Sequence, residues 1–482
     1  MSDSNDDENI IDKIKKSAPP LEDYIDTSGD EWRWRTVTEI QGPHPIHGST
    51  TGENFVINTN TQHWYCYRAG HESWGSIIDY VAMKNGIIEC EEAGDIPSNK
   101  WVEVFQICCE EFNVENKYGG IDEDKLRELK EKREERNEVY NILTEFSKIA
   151  HSRIDHVSWD GKNVREHLKD KRSFSDDIID ELNIGFWDDK VTEELIERYD
   201  TEELLRSGLF VVPSNIKKNK NNPAKLSPQS LSKPLEGRII YPYWKRRKVA
   251  YIIGRKTPIT EWENGPKYYK LRSGEKYNEV SDVISNDIFY GENHARRKKL
   301  LITEGVTDCI SLLDAGYDAI SPVTTSFREE DKSKLIKLTE GSDEVIIIND
   351  NEKSKAGEKG ALKTAKVLFD GGRNVKIAFP PRSEDVEKVD VDDYLTEHNN
   401  SPKAVKNILK TARSYIDYRI DNLIEGDFKG ISEFLEELEG RDYMKIDYAL
   451  NKLEKKTGIT KIVLRRKLRE LRIEDPLDSE SS

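Results

Sequence analysis

Three stretches of this 482-residue chain place carboxylates where a metal ion could use them. Glu304 follows the apolar run Leu300-Leu301-Ile302-Thr303. Asp350 and Glu352 follow Val345-Ile346-Ile347-Ile348-Asn349. Asp390 and Asp392 come shortly after Val375-Lys376-Ile377-Ala378-Phe379. Short apolar runs that alternate with helix-patterned segments predict a parallel sheet with helices on both faces. Ligands of such sheets sit beyond the carboxyl ends of the strands, so acids from separate strand ends converge on one edge. Clustered carboxylates repel one another until a cation neutralises them, and hard ions such as Mg²⁺ or Mn²⁺ take oxygen donors. An ion held there can activate a 3′-hydroxyl and stabilise a departing pyrophosphate. One acid at a strand end is ordinary loop solvation or a helix cap. Three in succession point to metal-dependent chemistry on phosphates.

A second set of candidate ligands lies near the N-terminus. His44-x2-His47 is followed by Cys66 and then His71. Two close pairs about twenty residues apart is zinc-site spacing, and imidazole and thiolate suit tetrahedral Zn²⁺. His44, His47, Cys66 and His71 are the expected ligands, with His63 as a substitute for the fourth. Four protein ligands leave no open position, which makes such a site structural. The aromatics Trp64, Tyr65, Tyr67 and Trp74 either stack on unpaired bases or form the core of a small module.

These groups need elements to position them. Residues 1–30 are acidic and polar and read as a disordered tail. Residues 31–120 are rich in Trp, Tyr and His, with strand-like stretches at Asn54-Phe55-Val56-Ile57 and His63-Trp64-Tyr65-Cys66-Tyr67. Residues 121–298 begin with a long charged helix, Asp122 to Ala150, and carry strand candidates at 238–242 and 249–255. The strand–helix alternation occupies 299–398, and 399–482 reads as helical. The fold class expected is α+β and multidomain: a small N-terminal β module, an α/β core containing the parallel sheet, and a C-terminal helical region.

Composition narrows the function. The net charge is −17, with 35% charged and 35% hydrophobic residues, so any nucleic-acid contact must come from local basic clusters. Such clusters occur at Lys217 to Lys220, Lys245 to Lys248, Arg296 to Lys299 and Arg465 to Lys467. No apolar run is long enough for a membrane span, and the acidic start lacks the pattern of a secretory signal. Five cysteines, an odd and sparse set, argue against a disulfide framework and for a reducing, cytoplasmic setting.

The motifs themselves resemble a known family. Leu301-Ile302-Thr303-Glu304-Gly305 with Asp308 looks like the opening motif of a TOPRIM domain. Ile348-Asn349-Asp350-Asn351-Glu352 followed by Gly357 resembles its second motif, with Asp-x-Glu where the family usually has Asp-x-Asp. Asp390-Val391-Asp392-Asp393-Tyr394-Leu395 resembles the third acidic motif of DnaG-type (bacterial and phage-like) DNA primases. Upstream, Gly237-Arg238-Ile239-Ile240-Tyr241-Pro242, Ile253-Gly254-Arg255 and Pro266-Lys267-Tyr268-Tyr269-Lys270 are similar to the strands that precede TOPRIM in that family. The stretch from Trp64 to Tyr80 is similar to its N-terminal zinc ribbon.

The resemblance implies an enzyme that makes short RNA primers on a single-stranded DNA template from ribonucleoside triphosphates. Two Mg²⁺ or Mn²⁺ ions would be held by Glu304, Asp350, Glu352, Asp390 and Asp392, of which Glu304, Asp350 and Glu352 are the catalytic core. Arg238, Arg255, Lys267 and Lys270 would handle nucleotide and template phosphates, since arginine grips phosphate as a planar fork and lysine as a point charge. A zinc module would select template, and a replicative helicase is a candidate partner. Two alternatives remain: a nuclease using the same acids, and a catalytically decayed protein that binds single-stranded DNA or recruits a helicase. The chain contains no Gly-x4-Gly-Lys-Ser/Thr loop, which excludes a P-loop ATPase.

Overall fold

The computed structural model describes residues 10–473, apart from segments at 50–51, 68–72, 117–122, 214–225, 246–247, 261–264, 275–276, 296–297, 324–326, 341 and 424–425. The chain forms two compact units. One comprises Met1–Trp159 and Asn183–Asn286, the other Asp160–Leu182 and Asp287–Ser482. Among the described residues no helix is long and apolar enough to cross a membrane.

The first unit opens with a five-stranded antiparallel sheet in chain order: Arg33–Trp34, Glu39–Gly42, Phe55–Asn58, His63–Cys66 and Ser73–Gly75. Alternation along His63–Cys66 sends Trp64 and Cys66 inward. Trp64 stacks on Phe55, and both pack against the helices Ile77–Lys84 and Trp101–Glu111. A small sheet buries little surface on one face, so it needs helices to complete a core. The expected disordered tail is corrected over its second part. Ile10–Ser17 and Leu21–Tyr24 are helical, and Ile10, Ile14, Leu21 and Ile25 join this core. Isoleucines one helical turn apart form an apolar stripe that the acidic average of the segment conceals. The side chain of Gln62 accepts a 2.7 Å hydrogen bond from the Leu21 amide and fastens the segment to the sheet. Residues 1–9 lie outside the described residues.

The helix Glu123–Ser152 follows. Its second half buries Val139, Ile142, Leu143, Phe146, Ile149 and Ala150 and packs on the strand Lys248–Arg255. That strand belongs to a four-stranded antiparallel sheet in the order Tyr268–Lys270, Lys248–Arg255, Ile239–Lys245, Gly185–Phe186.

The second unit is built on a six-stranded sheet in the order Phe289–Tyr290, Ala319–Pro322, Lys299–Ile302, Glu344–Ile348, Val375–Ala378, Arg413–Ser414. The inner four strands are parallel, and each edge strand runs antiparallel. Helices Val306–Asp314, Asp331–Leu338 and Ala356–Asp370 connect the strands. Past their first residues, the sheet's central strands Lys299–Ile302 and Glu344–Ile348 are apolar and buried, as helices on both faces require.

Two domain boundaries differ from those expected. Residues 160–182, read as part of a 121–298 core segment, pack instead with the second unit. Ser175 and Asn400 both hydrogen-bond Asp314, and Asn400 also donates to the carbonyls of Arg172 and Ser173. The C-terminal helices do not form a separate domain. Tyr415, Ile416, Phe434, Leu450 and Leu464 share one hydrophobic cluster with Leu300, Val345 and Leu368 of the sheet and its helices. Local pattern shows that a segment is amphipathic but not which partner its apolar face meets.

One consequence concerns the N-terminal helix. Ile14 is fully buried, so Ile14→Ala should destabilise the N-terminal module by about 3 kcal/mol, read by chemical denaturation followed through tryptophan fluorescence. A change near zero would mean that the helix does not belong to the core.

Candidate metal centres

The acids of the second unit gather by two routes. Glu304 and Asp350 lie just past the ends of adjacent parallel strands, which pair Ile302 with Ile347. Asp390 arrives differently. Asn351–Glu352 and Lys388–Val389 form a two-stranded antiparallel ribbon, with Glu352 opposite Lys388, and this ribbon carries the third motif back to the second. Asp350 accepts a hydrogen bond from the Val391 amide at 3.2 Å. Lys388 Nζ lies 2.9 Å from Asp350 and 2.6 Å from Asp390.

Glycines let a helix approach this edge. A Cβ on Gly360 would lie 3.0 Å from Glu304 Oε1, and one on Gly357 would collide with the Asp350 carbonyl. The Gly357 amide donates to Glu352 Oε1 at 2.9 Å, which orients that carboxylate as the helix N-terminus favours. Asn349 is buried and donates to Glu304 Oε1 and to the Gly357 carbonyl.

Charge defines the cluster. The Glu304 carboxyl is pushed up to about 7 by burial and then by the Asp350 charge. Asp350 is raised as well, by burial first, with Asp390 adding and Lys388 opposing. Burial works against the Lys388 ammonium, but hydrogen bonds to Asp390 and Asp350 outweigh it and hold its pKa above the usual lysine value. The group therefore carries more negative charge than Lys388 balances, and all its ligand atoms are oxygens. That donor set fits a hard divalent cation. A cavity of about 250 Å³ opens beside Asp350 and Glu352, walled by Phe379, Pro380, Arg413 and Tyr418.

Two aspartates depart from expectation. Asp392, expected among the metal ligands, is 2% exposed. Its Oδ1 accepts from Ser311 at 2.8 Å and its Oδ2 is gripped by Arg172. Both oxygens join the 160–182 segment to the sheet's first helix, so the structure gives this carboxylate an architectural part. Asp308 belongs to the opening acidic motif, which by itself assigns it no role. It is buried, caps its own helix through the Gly305 amide and accepts from the Asp392 amide at 3.0 Å. Burial and the charges of Asp350 and Asp390 raise its carboxyl well above the ordinary range. Its place one helical turn after Glu304 was the available signal.

In the first unit, His44, His47, Cys66 and Cys90 have ligand atoms within 4.8 Å of one another. Among the described residues this is the group of three or more such side chains gathered so tightly; the acids are spread more widely. The two imidazoles stack with centroids 3.6 Å apart. His47 Nε2 lies 3.5 Å from Cys66 Sγ, and His44 Nε2 lies 3.5 Å from Cys90 Sγ. His47 Nδ1 is 3.0 Å from the Gly48 carbonyl, the kind of support that fixes the orientation of a metal-binding ring. The amides of Ile46 and His47 point at His44 Nδ1. Cys90 is the fourth member of this cluster and was not among the expected ligands. It sits in a short 3-10 turn beyond the helix Ile77–Lys84, too far along the chain for pair spacing to reveal. His71 lies outside the described residues. His63 is turned away, its ring bonded to the Thr61 carbonyl. Hydrogen bonding to Cys66 and then burial push the Cys90 thiol up. A metal ion reverses that preference by stabilising thiolates.

The basic candidates belong to the first unit's four-stranded sheet. Arg255 pairs with Tyr268 across the edge strand, and its guanidinium bonds the Tyr268 hydroxyl. Lys267 lies 5.8 Å from the same ring, and Lys267 and Lys270 are exposed. Arg238 is a correction: it is 1% exposed, donates to the Pro234 carbonyl and packs over Tyr269. Its burial gives it a role inside the sheet and not at a phosphate-facing surface. The clusters at 217–220, 246–247 and 296–297 lie outside the described residues.

The chain thus carries, in separate units, a parallel sheet with acids at its strand ends and a module with a His/Cys cluster. Residues 298–379 match the Toprim domain family. A DNA primase of Clostridium acetobutylicum is 23% identical over 472 residues, covering 94% of this chain and 68% of that protein. The DNA primase of Chlamydia pneumoniae is 23% identical over 387 residues, 78% of this chain and 56% of its own length. The fold is similar to the Aquifex aeolicus primase structure containing zinc-binding and RNA polymerase domains, with a TM-score of 0.53, 15% identity, and 95% and 100% of the two chains covered. It is also similar to a DnaG primase catalytic domain bound to ssDNA, at a TM-score of 0.50 and 18% identity, covering 68% of this chain and 98% of that one. The fold is that of these DnaG primase structures, with the His/Cys module preceding the Toprim domain along the chain. The chain spans about two thirds of the clostridial relative's length and little more than half of the chlamydial one's.

Two measurements test the centres. Cys90→Ser should strip the bound metal from the N-terminal module and His63→Ala should leave it, by elemental analysis of purified protein; retention in Cys90→Ser would remove Cys90 from the site. At the acid site, the raised Glu304 carboxyl binds its proton more tightly folded than unfolded. The stability this gives the cation-free chain is full below pH 4.5 and is lost as pH rises through about 7. Glu304→Gln lacks that loss, so without divalent cations its melting temperature should exceed the wild type's at about pH 8 and converge with it near pH 4. A wild-type advantage at the higher pH would contradict the repulsion.

Proposed function

We propose that this chain synthesises short RNA primers on single-stranded DNA from ribonucleoside triphosphates. The observation that carries the reading is the gathering of carboxylates at the TOPRIM strand ends, where burial and neighbouring charge raise Glu304 and Asp350 above their ordinary pKa. Glu304, Asp350, Glu352 and Asp390 are the residues that would hold Mg²⁺ or Mn²⁺. Bound there, the ions would supply neutralisation of the triphosphate and alignment of a 3′-hydroxyl with an α-phosphate. Asn349 keeps the Glu304 carboxylate turned toward its neighbours. Asp308, whose carboxyl burial pushes up, accepts from the Gly305 and Asp392 amides and so ties the first and third motifs together from behind.

Arg255, Lys267 and Lys270 are the cations we assign to nucleotide and template phosphates, with Arg238 stiffening the sheet beneath them. His44, His47, Cys66 and Cys90 would hold Zn²⁺ in a closed structural site. Tyr67 and Trp74, both about half exposed, are available to stack on unpaired template bases. A replicative helicase is the further partner, and the buried free cysteines suit a reducing cytoplasm.

Asp350→Ala should lower dinucleotide synthesis on single-stranded DNA by at least about a hundredfold while circular dichroism stays unchanged. Full activity in that variant refutes the assignment. Cleavage of labelled template without added ribonucleotides, lost in the same variant, would instead mark the site as a nuclease.

A further inference from the structure

Lys388 occupies the position in which a cation would balance the acid cluster. Its ammonium spans Asp350 and Asp390 at 2.9 and 2.6 Å. It is held there by backbone as well as by charge, because Lys388 stands opposite Glu352 in the ribbon that joins the second and third motifs. It is 44% exposed, so the side chain has room to leave. Of the two carboxylates it touches, Asp390 is 38% exposed and Asp350 17%, and the other oxygen of Asp350 is taken by the Val391 amide. A divalent cation bound to Asp350 would share that carboxylate with an ammonium at contact distance, and two cations on one carboxylate repel each other.

We propose that Lys388 is a built-in counter-ion that competes with the divalent cation for Asp350 and Asp390, so that the metal loads by displacing it. The device does two things. It keeps the cluster together when no metal is bound, since four neighbouring acids would otherwise drive the ribbon from the strand ends. It also lowers the affinity for the divalent ion, so that the site fills readily only when a polyphosphate brings further negative charge. The flexible four-carbon stem of lysine suits a charge that must come and go.

This inference rests on the reading of the acids as a divalent-cation site, and the test separates the two. Mn²⁺ binding to the zinc-loaded full chain is measured by electron paramagnetic resonance of the free ion. Lys388→Met should bind Mn²⁺ about tenfold more tightly than wild type. Lys388→Arg, which keeps the charge, should stay within about twofold of wild type. Asp350→Asn should weaken binding in either background. Equal or weaker binding in Lys388→Met, with Asp350→Asn still weakening it, overturns the role of Lys388 and leaves the metal site standing. Binding insensitive to Asp350→Asn removes the metal site and this proposal with it. A metal-free melting temperature for Lys388→Met below that of both wild type and Lys388→Arg shows that the ammonium holds the acids together.

Discussion

Repulsion among partly buried carboxylates is the constraint around which the second unit is organised. Glu304, Asp350, Glu352 and Asp390 come from distant parts of the chain, and each would be more stable apart in water. What keeps them together is rigid backbone. Parallel pairing sets the first two side by side, the Glu352–Lys388 ribbon brings the fourth, and glycines 357 and 360 admit a helix N-terminus against them. The scaffold must outweigh a penalty visible in the raised carboxyls of Glu304, Asp308 and Asp350. It does so with a core that runs unbroken from the sheet into the C-terminal helices. Strain between charges is tolerable where the surrounding structure over-determines their positions.

The two candidate metal centres solve opposite problems. The His/Cys cluster is enclosed and tight, its four ligand atoms within 4.8 Å. Such a site contributes folding energy to a module whose sheet is small. The acid cluster is looser, borders open space and carries unbalanced charge. A closed site of soft donors holds its ion permanently, whereas an open site of oxygens exchanges ions and substrate. The division of labour follows from ligand chemistry and geometry alone.

Around both, residues that read as functional turn out to hold the frame. Asp392 and Arg172 form a buried pair that ties the 160–182 segment to the helix Val391–Glu397. Breaking such a pair leaves one charge stranded, so Asp392 has an architectural part. Arg238 plays a comparable part under Tyr269. Charged residues in a motif can be retained for architecture, and burial is what separates them from their exposed neighbours Lys267 and Lys270.

Much was legible from residue order. The apolar runs at 299–302 and 344–348 are strands because helices cover both faces, and Glu304 and Asp350 sit at their carboxyl ends as the alternation required. His44, His47 and Cys66 gather as their spacing suggested. These features depend on local periodicity and on the one-way direction of parallel strands, both written along the chain. Cys90 as fourth member of the cluster, Lys388 across Asp350 and Asp390, the inward turn of Asp392 and Arg238, and the docking of Ile10 and Ile14 were not legible. Each depends on which distant surface a side chain meets, and that is decided only when the elements pack. Sequence by itself determined the strands and helices of the parallel sheet and the acids that end its strands. Tertiary structure decided which charges face one another, because pairing energies act through space and not along the chain.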